Sequence, residues 1–163
     1  MFKNTDSAHD FLGKVSPPIT MLVFIVAIVN LLYPKGLLHF APFAWLEISI
    51  LKYAGFALIH LALLWIIIAQ VQMSNSWRVG IDHSAKTELK TNGLFSISRN
   101  PVFLGMLLTL AGLFFIIPNA ITLLVFVAST LLFQVQVRLE EEYLRSVHGE
   151  NYLNYCQKTG RWF

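Results

Sequence analysis

Four long stretches of this chain contain no Asp, Glu, Lys or Arg, and they constrain the fold more than any other feature. They cover residues 19–33, 53–71, 101–117 and 120–137, which is 15 to 19 residues each. About 17–25 apolar residues are needed for a helix to cross a bilayer. The sequence therefore predicts an all-α integral membrane protein with about four transmembrane helices.

The composition supports this class of protein. Hydrophobic residues make up 56% of the 163 residues and charged residues only 13%, whereas soluble domains carry about 25% charged residues. So little polar surface could not cover a soluble core, and so apolar a chain would not stay disordered. The net charge of +3, with no basic run, gives no indication of nucleic-acid binding. We expect one membrane-embedded domain, residues 1–163.

The distribution of positive charge predicts the orientation. The polar segments 1–18, 72–99 and 138–163 hold ten of the twelve Lys and Arg residues, and only Lys35 and Lys52 lie on the other side. The positive-inside rule then places both termini in the cytoplasm. No small-residue cleavage site follows the first apolar run, so we expect a retained span rather than a signal peptide.

The connections between the spans are short and carry helix-breaking residues. Pro118-Asn119 separates the last two spans and predicts a tight helical hairpin. Pro17-Pro18 precedes the first span and predicts its start. Residues 37–50, with Trp45 and Glu47, are typical of a short interfacial segment between the first two spans.

Polar residues concentrate in two segments, 73–100 and 138–163, which flank the final hairpin. Charge-free spans argue against a pathway for ions through the bilayer. No G-x-G occurs among the nine glycines, which removes the usual dinucleotide-binding loop. The lone Cys156 excludes an internal disulfide. These segments predict a membrane-embedded site that opens to the cytoplasm.

Three consecutive glutamates, Glu140 to Glu142, lie where the last span leaves the bilayer. Arg138 and Arg145 bracket them and could pair with them. The alternative is a solvated acidic turn. Charge beside apolar sequence is costly unless it is compensated, which favours a purpose for these carboxylates.

Local signals place these residues on elements. Residues 138–163 continue the last helix, with a break expected at His148-Gly149. Asn92-Gly93 predicts a turn, and Arg99-Asn100-Pro101 predicts a helix start with proline in its first turn.

Two features inside the spans favour architecture over chemistry. Gly105, Thr109 and Gly112 share one broad face of the third span, which would let a neighbouring helix approach closely. His60 lies in the middle of the second span, where an ionisable group is a functional candidate. A neutral, hydrogen-bonded imidazole is the interpretation we favour.

An ordered set of motifs runs through the second half of the chain. It consists of Thr91-Asn92-Gly93-Leu94-Phe95, Ser98-Arg99-Asn100-Pro101-Val102-Phe103-Leu104-Gly105, Glu140-Glu141-Glu142-Tyr143-Leu144, His148-Gly149-Glu150-Asn151-Tyr152 and Tyr155. In order and spacing this set resembles the isoprenylcysteine carboxyl methyltransferase family, within a wider group that includes the phospholipid methyltransferases. The resemblance covers about residues 73–163.

The resemblance implies an integral membrane enzyme that uses S-adenosylmethionine and a lipophilic acceptor, with no metal. The implied catalytic residues are Arg99, Arg138, Glu140 and Glu141. The implied cofactor-binding residues are Asp82, Thr87, Glu88, Leu89, Lys90, Phe95, Asn100, Pro101, Val102, Phe103, Glu140 and Tyr152.

Three departures from the family pattern affect what the resemblance implies. Asn100 replaces a histidine that could titrate, and Phe103 replaces a tyrosine. Gln136 stands where the prenylcysteine enzymes place an arginine that faces the substrate. Arg138 is two residues further on, about 200° around the helix. The isoprenylcysteine carboxylate therefore remains one candidate acceptor among lipophilic molecules.

Two other classes of function stay open on the sequence. A membrane-bound reductase of isoprenoid or steroid type, using NADPH, would share the layout of a hairpin and a polar tail. A non-enzymatic small membrane protein would share the spans alone.

Overall fold

The computed structural model describes residues 3–33, 41–73 and 89–163, with side chains from residue 13 onward. The described chain is all-α, as predicted. Its helices are α1 (Lys3–Leu32), α2 (Ser49–Met73), α3 (Pro101–Ile116), α4 (Ala120–His148) and α5 (Glu150–Lys158), with 3₁₀ turns at Ala44–Leu46 and Gly93–Ser96.

Three helical segments are long and apolar enough to cross a membrane. They are Gly13–Leu32, Ser49–Met73 and Ala120–His148, each with a mean hydropathy of 2.0 to 2.2. The third predicted span, α3, is a shorter apolar helix of 16 residues. At 1.5 Å per residue it is about 24 Å long, against a hydrocarbon core of about 30 Å.

The prediction that the first helix begins at Pro17-Pro18 is wrong, because α1 begins at Lys3 and runs through both prolines. A proline removes one intrahelical hydrogen bond, but membrane helices tolerate it where nearby hydroxyls add bonds. The Thr20 hydroxyl donates such a bond to the Ser16 carbonyl, 2.9 Å away.

The second helix begins at Ser49 rather than at residue 53, so Lys52 lies inside it. The long lysine stem can lie along apolar surface while its ammonium reaches water. The continuation of the last span to His148, the break at Gly149 and the helix start at Pro101 are all confirmed.

Helices α2, α3 and α4 each contribute to two compact units, which we describe separately. In residues 1–60 and 107–136, α2 and α3 meet at glycines. A Cβ atom on Gly55 would lie 2.7 Å from the Gly112 carbonyl oxygen. The buried residues Val26 and Ile117 centre a small apolar core.

The segment that precedes α2 is attached to the α3–α4 turn of the same unit. The Phe43 amide donates to the Pro118 carbonyl at 2.8 Å, and the Ala120 amide donates to the Ala41 carbonyl at 3.2 Å. Trp45 is 76% exposed. Residues 37–40 of the expected interfacial segment lie outside the described residues, and its place at the membrane interface stays a prediction.

The second unit comprises residues 61–106 and 137–163. A Cβ atom on Gly105 would lie 2.4 Å from the Ile66 side chain and 3.3 Å from the Ala62 carbonyl. With the Gly112 contact in the first unit, this confirms close helix approach at two of the three predicted small residues. The Trp65 indole donates to the Pro101 carbonyl at 2.9 Å and thereby fixes the start of α3.

His60 is exposed, and its Nδ1 lies 2.7 Å from the Phe56 carbonyl oxygen one turn earlier. This is the hydrogen-bonded imidazole that we favoured from the sequence.

Candidate functional site: an arginine–glutamate cluster at the start of α3

Arg99, immediately before α3, joins three segments of the second unit. Its Nε and Nη2 donate to Glu141 Oε1 at 3.1 and 2.9 Å. Its Nη1 donates to the carbonyls of Cys156 and Thr159 at 3.2 and 3.0 Å. The planar guanidinium suits such a fixed set of acceptors. Arg99 therefore fastens the start of α3 to α4 and to the end of α5.

Glu141 is shared between two arginines. Its second oxygen, Oε2, accepts bonds from Arg161 Nε and Nη2 at 3.1 and 2.6 Å. Burial alone would raise the pKa of Glu141, but the hydrogen bonds and charges of Arg161 and Arg99 outweigh it and lower the pKa. Glu141 is therefore an ionised structural centre of this cluster.

The expected pairing of the glutamates with Arg138 and Arg145 is wrong for Glu141. Both bracketing arginines are exposed, and in the described part of the chain the ion pairs of Glu141 are with Arg99 and Arg161. Pairing within one exposed helix contributes only about 0.2–0.5 kcal/mol. The bidentate contacts of the less exposed arginines are the stronger ones.

The C-terminal tail docks on the residues that begin α3. The Arg99 amide donates to the Gly160 carbonyl at 3.0 Å. The Ser98 hydroxyl and the Asn100 Nδ2 both donate to the Arg161 carbonyl, at 3.3 and 3.2 Å. Asn100, which is 7% exposed, thus uses its amide donor to hold the tail.

The turn at Gly93–Ser96 is held by α5. The Tyr155 hydroxyl donates to the Phe95 carbonyl, and the Thr159 hydroxyl donates to the Ser96 carbonyl at 3.4 Å. Burial raises the pKa of Tyr155 to about 12, so its hydroxyl stays a donor at physiological pH. Gly93 has a φ of 61°, which favours glycine at this turn.

Glu140 differs from its neighbour. Its side chain is half-buried, and among the described residues it makes no ion pair or hydrogen bond. Burial, and then the adjacent charge of Glu141, raise the pKa of Glu140. A half-buried carboxylate whose pKa is raised by burial is a candidate to bind a cation.

Tyr152 also presents a buried polar atom. The side chain is 1% exposed, and its hydroxyl bonds to no nitrogen or oxygen atom among the described residues. The Cys156 side chain is its polar neighbour, and its ring packs edge-on against Tyr155 with centroids 6.1 Å apart.

The structure brings most of the predicted residues onto this unit. Phe95 and Pro101 are buried, and Leu89, Lys90, Val102 and Phe103 are half-buried. Arg138 is exposed and makes no ion pair in the described ranges. Asp82, Thr87 and Glu88 lie outside the described residues.

Sequence reasoning missed two parts of the cluster, Arg161 and Thr159. Both lie in the last five residues, and terminal residues are often poorly ordered unless something ties them down. Gln72, which accepts a bond from the Leu94 amide at 2.8 Å, was missed as well. The only signal in the sequence was electrostatic, because the run of three glutamates requires positive charge from other parts of the chain.

Comparison with known proteins connects this geometry to a family. The family model of phospholipid methyltransferase matches residues 50–151, which is more than half of the chain. The chain belongs to the phospholipid methyltransferase family. The matched range contains Arg99, Glu140 and Glu141, whereas Tyr152 and Arg161 lie beyond its end. No curated protein and no solved structure matches the chain.

Membership of the phospholipid methyltransferase family confirms the resemblance drawn from the motifs. Members of this family typically use S-adenosylmethionine. The match is to a methyltransferase family and not to a reductase, so it favours the first of the three functions that the sequence left open.

Proposed function

We propose that this phospholipid methyltransferase family protein transfers a methyl group from S-adenosylmethionine to a lipophilic acceptor. The observation that carries the proposal is Glu140, which is half-buried beside the Arg99–Glu141–Arg161 cluster and makes no ion pair with any other described residue. A carboxylate with a raised pKa fits a cationic partner, and the cofactor carries an ammonium group and hydroxyls.

The residues present fit such a cofactor. Glu140 would hold its ammonium or ribose, and the Tyr152 hydroxyl, which bonds to no nitrogen or oxygen atom among the described residues, offers a further polar contact. The other residues that would contact the cofactor are Leu89, Lys90, Phe95, Asn100, Pro101, Val102 and Phe103. Three further expected contacts, Asp82, Thr87 and Glu88, lie outside the described residues. Arg99 and Glu141 would position these elements rather than meet the reacting atoms.

Bound S-adenosylmethionine supplies an electrophilic methyl group on a sulfonium. The protein's contribution is to hold the acceptor in line with that group and to exclude water, which is a contribution of proximity and desolvation. An amine acceptor would also have to lose a proton. His148, whose buried Nε2 bonds to none of the residues that the structure describes, is the candidate to take it.

The residue at position 136 bears on the identity of the methyl acceptor. Gln136 is half-buried and uncharged, so this place offers no cation for a carboxylate. The family description names phospholipids. We therefore take the headgroup of a membrane phospholipid as the first acceptor to test and an isoprenylcysteine carboxylate as the second.

Calorimetry of S-adenosylmethionine binding tests the role of Glu140. The variant Glu140→Gln keeps the shape and removes the charge, so its affinity should fall about tenfold or more, as expected when a bond to a charged group is lost. Glu142→Gln, on an exposed neighbour, should bind like the unaltered protein. Equal affinity in Glu140→Gln would refute the assignment.

Transfer of a labelled methyl group into total membrane lipid tests the reaction. A labelled phospholipid is the expected product, and less of it should form with Glu140→Gln at a cofactor concentration below saturation. A labelled prenylcysteine ester would shift the acceptor, and no labelled lipid product would contradict the proposed function.

A further inference from the structure

A polar cavity lies in the unit formed by residues 1–60 and 107–136, and none of its residues belongs to the proposed cofactor site. Its volume is about 370 Å³, which is within the range of about 300–1,000 Å³ that is typical of small-molecule sites. Polar side chains reach it from three places, the end of α1, the start of α2 and the α3–α4 turn. They are those of Asn30, Glu47, Ser49, Lys52 and Asn119.

Asn119 supplies the first indication of a ligand. It caps α4: its side-chain Oδ1 accepts a bond from the Thr122 backbone N–H at 2.9 Å, and its backbone N–H donates to the Thr122 hydroxyl at 3.3 Å. This fixes the orientation of the side-chain amide. The residue is 2% exposed, and its Nδ2 has no hydrogen-bond partner in the part of the chain that the structure describes. A buried donor left over in a cavity wall calls for an acceptor.

Two opposite charges supply the second indication. Glu47 and Lys52 both line the cavity and are both exposed, yet among the described residues they form no ion pair. Lys52 lies in the first turn of α2, where the helix terminus adds partial positive charge. The cavity therefore offers a cation and an N–H donor for an anion, and a carboxylate for a cation.

The apolar surroundings identify the kind of molecule. Leu32 is 75% exposed, Trp45 76%, Ile50 70% and Tyr53 71%. Exposed Trp and Tyr at the end of an apolar helix are typical of the membrane–water interface. A zwitterionic phospholipid fits this place at the membrane–water interface, because its headgroup carries both charges and its acyl chains are apolar.

We propose that this cavity binds the headgroup of a zwitterionic phospholipid, with the phosphate on Lys52 and Asn119 and the ammonium on Glu47. The bound lipid is a resident of this unit and not the methyl acceptor. The inference stands independently of methyl transfer, because no residue of the cavity takes part in the proposed reaction.

Native mass spectrometry of the detergent-purified protein, without added cofactor, tests the site. The probes are phosphatidylethanolamine, phosphatidylglycerol with the same acyl chains, and soluble glycerophosphoethanolamine. Phosphatidylethanolamine should bind most tightly. Lys52→Gln should weaken both lipids about tenfold, and Glu47→Gln should remove the preference for phosphatidylethanolamine.

Asn119→Asp keeps the cap of α4 while it replaces the unpaired donor with an acceptor, so it should weaken binding of both lipids. Glu150→Gln and Lys158→Gln remove matched charges from the exposed face of α5 and should bind lipid unchanged. Thermal unfolding of each variant checks that it folds. The variants at Glu47 and Lys52 should fold, because both side chains are exposed.

Three results would overturn the proposal. Equal binding by Lys52→Gln, Glu47→Gln and the two controls would show that lipid binds elsewhere. Equal affinity for soluble glycerophosphoethanolamine would show a phosphate-ester site rather than a lipid site. Tighter binding of phosphatidylglycerol would show an anion site without a role for Glu47. None of these results bears on Glu140 or on cofactor binding.

Discussion

At the scale of single residues, the C-terminal segment depends on one carboxylate. Glu141 accepts two bonds from Arg99, which precedes α3, and two from Arg161, which follows α5. Removing one member of such a cluster leaves the remaining charges partly buried and without an opposite charge nearby. The docking of the tail is therefore sensitive to the charge of this one side chain.

Glu141→Gln should lower the free energy of unfolding by about 1–3 kcal/mol, because bonds to a charged group are lost. Thermal unfolding followed by circular dichroism in detergent measures this. Glu142→Gln is the control, since Glu142 is exposed and lies next in sequence; a similar loss in both variants would contradict a specific role for Glu141.

The same residue predicts a dependence on pH. The folded pKa of Glu141 lies below its ordinary value of 4.5, so its contribution is complete above that pH. It is lost as the pH falls through the lower folded pKa. The difference in stability between the unaltered protein and Glu141→Gln should accordingly shrink below pH 4.5. A difference that stays constant down to pH 3 would show that folding does not lower the pKa of Glu141.

At the scale of elements, glycines set the distance between α2 and α3. A Cβ atom on Gly55 would lie 2.7 Å from the Gly112 carbonyl oxygen and 2.9 Å from the Ile116 side chain. In a bilayer, helices associate through packing and not through burial from water, so close contact between backbones matters.

Gly55→Ala should destabilise the protein by about 1–3 kcal/mol, because the added methyl group overlaps backbone that cannot move aside. Gly13→Ala, in α1, is the matched control, since a Cβ atom there meets nothing within 4 Å. It should be neutral or raise stability by up to about 1 kcal/mol through helix propensity. Thermal unfolding of both variants decides, and equal effects would exclude a role for the contact.

At the scale of the whole molecule, the shorter α3 decides the topology. If it crosses the bilayer with the three longer segments, both termini lie on one side, as the distribution of Lys and Arg predicts. If it does not cross, the C-terminal segment lies on the same side as Trp45.

Labelling with a membrane-impermeant maleimide separates these cases. In a Cys156→Ser background, which removes the single cysteine, Trp45→Cys should react in intact cells, and Glu150→Cys should react only after permeabilisation. Reaction of both in intact cells would show that α3 does not cross. The reverse pattern would invert the predicted orientation.

Local sequence patterns predict most of the helices of this protein. Charge-free runs indicate apolar helices because a charge in hydrocarbon is costly. Pro101 and Gly149 mark a helix start and a helix break because their backbone preferences act within one turn. The start of α1 could not be predicted this way, because α1 tolerates the prolines that usually end a helix.

Which polar groups meet is a property of the tertiary structure. Glu141 pairs with Arg99, 42 residues away, and with Arg161, 20 residues away, rather than with the arginines on its own helix. The Glu140 carboxylate and the Asn119 Nδ2, which have no partner among the described residues, became visible in the same way. Burial and bidentate geometry select these contacts, and both depend on segments that are distant in the chain and that local sequence patterns do not bring together.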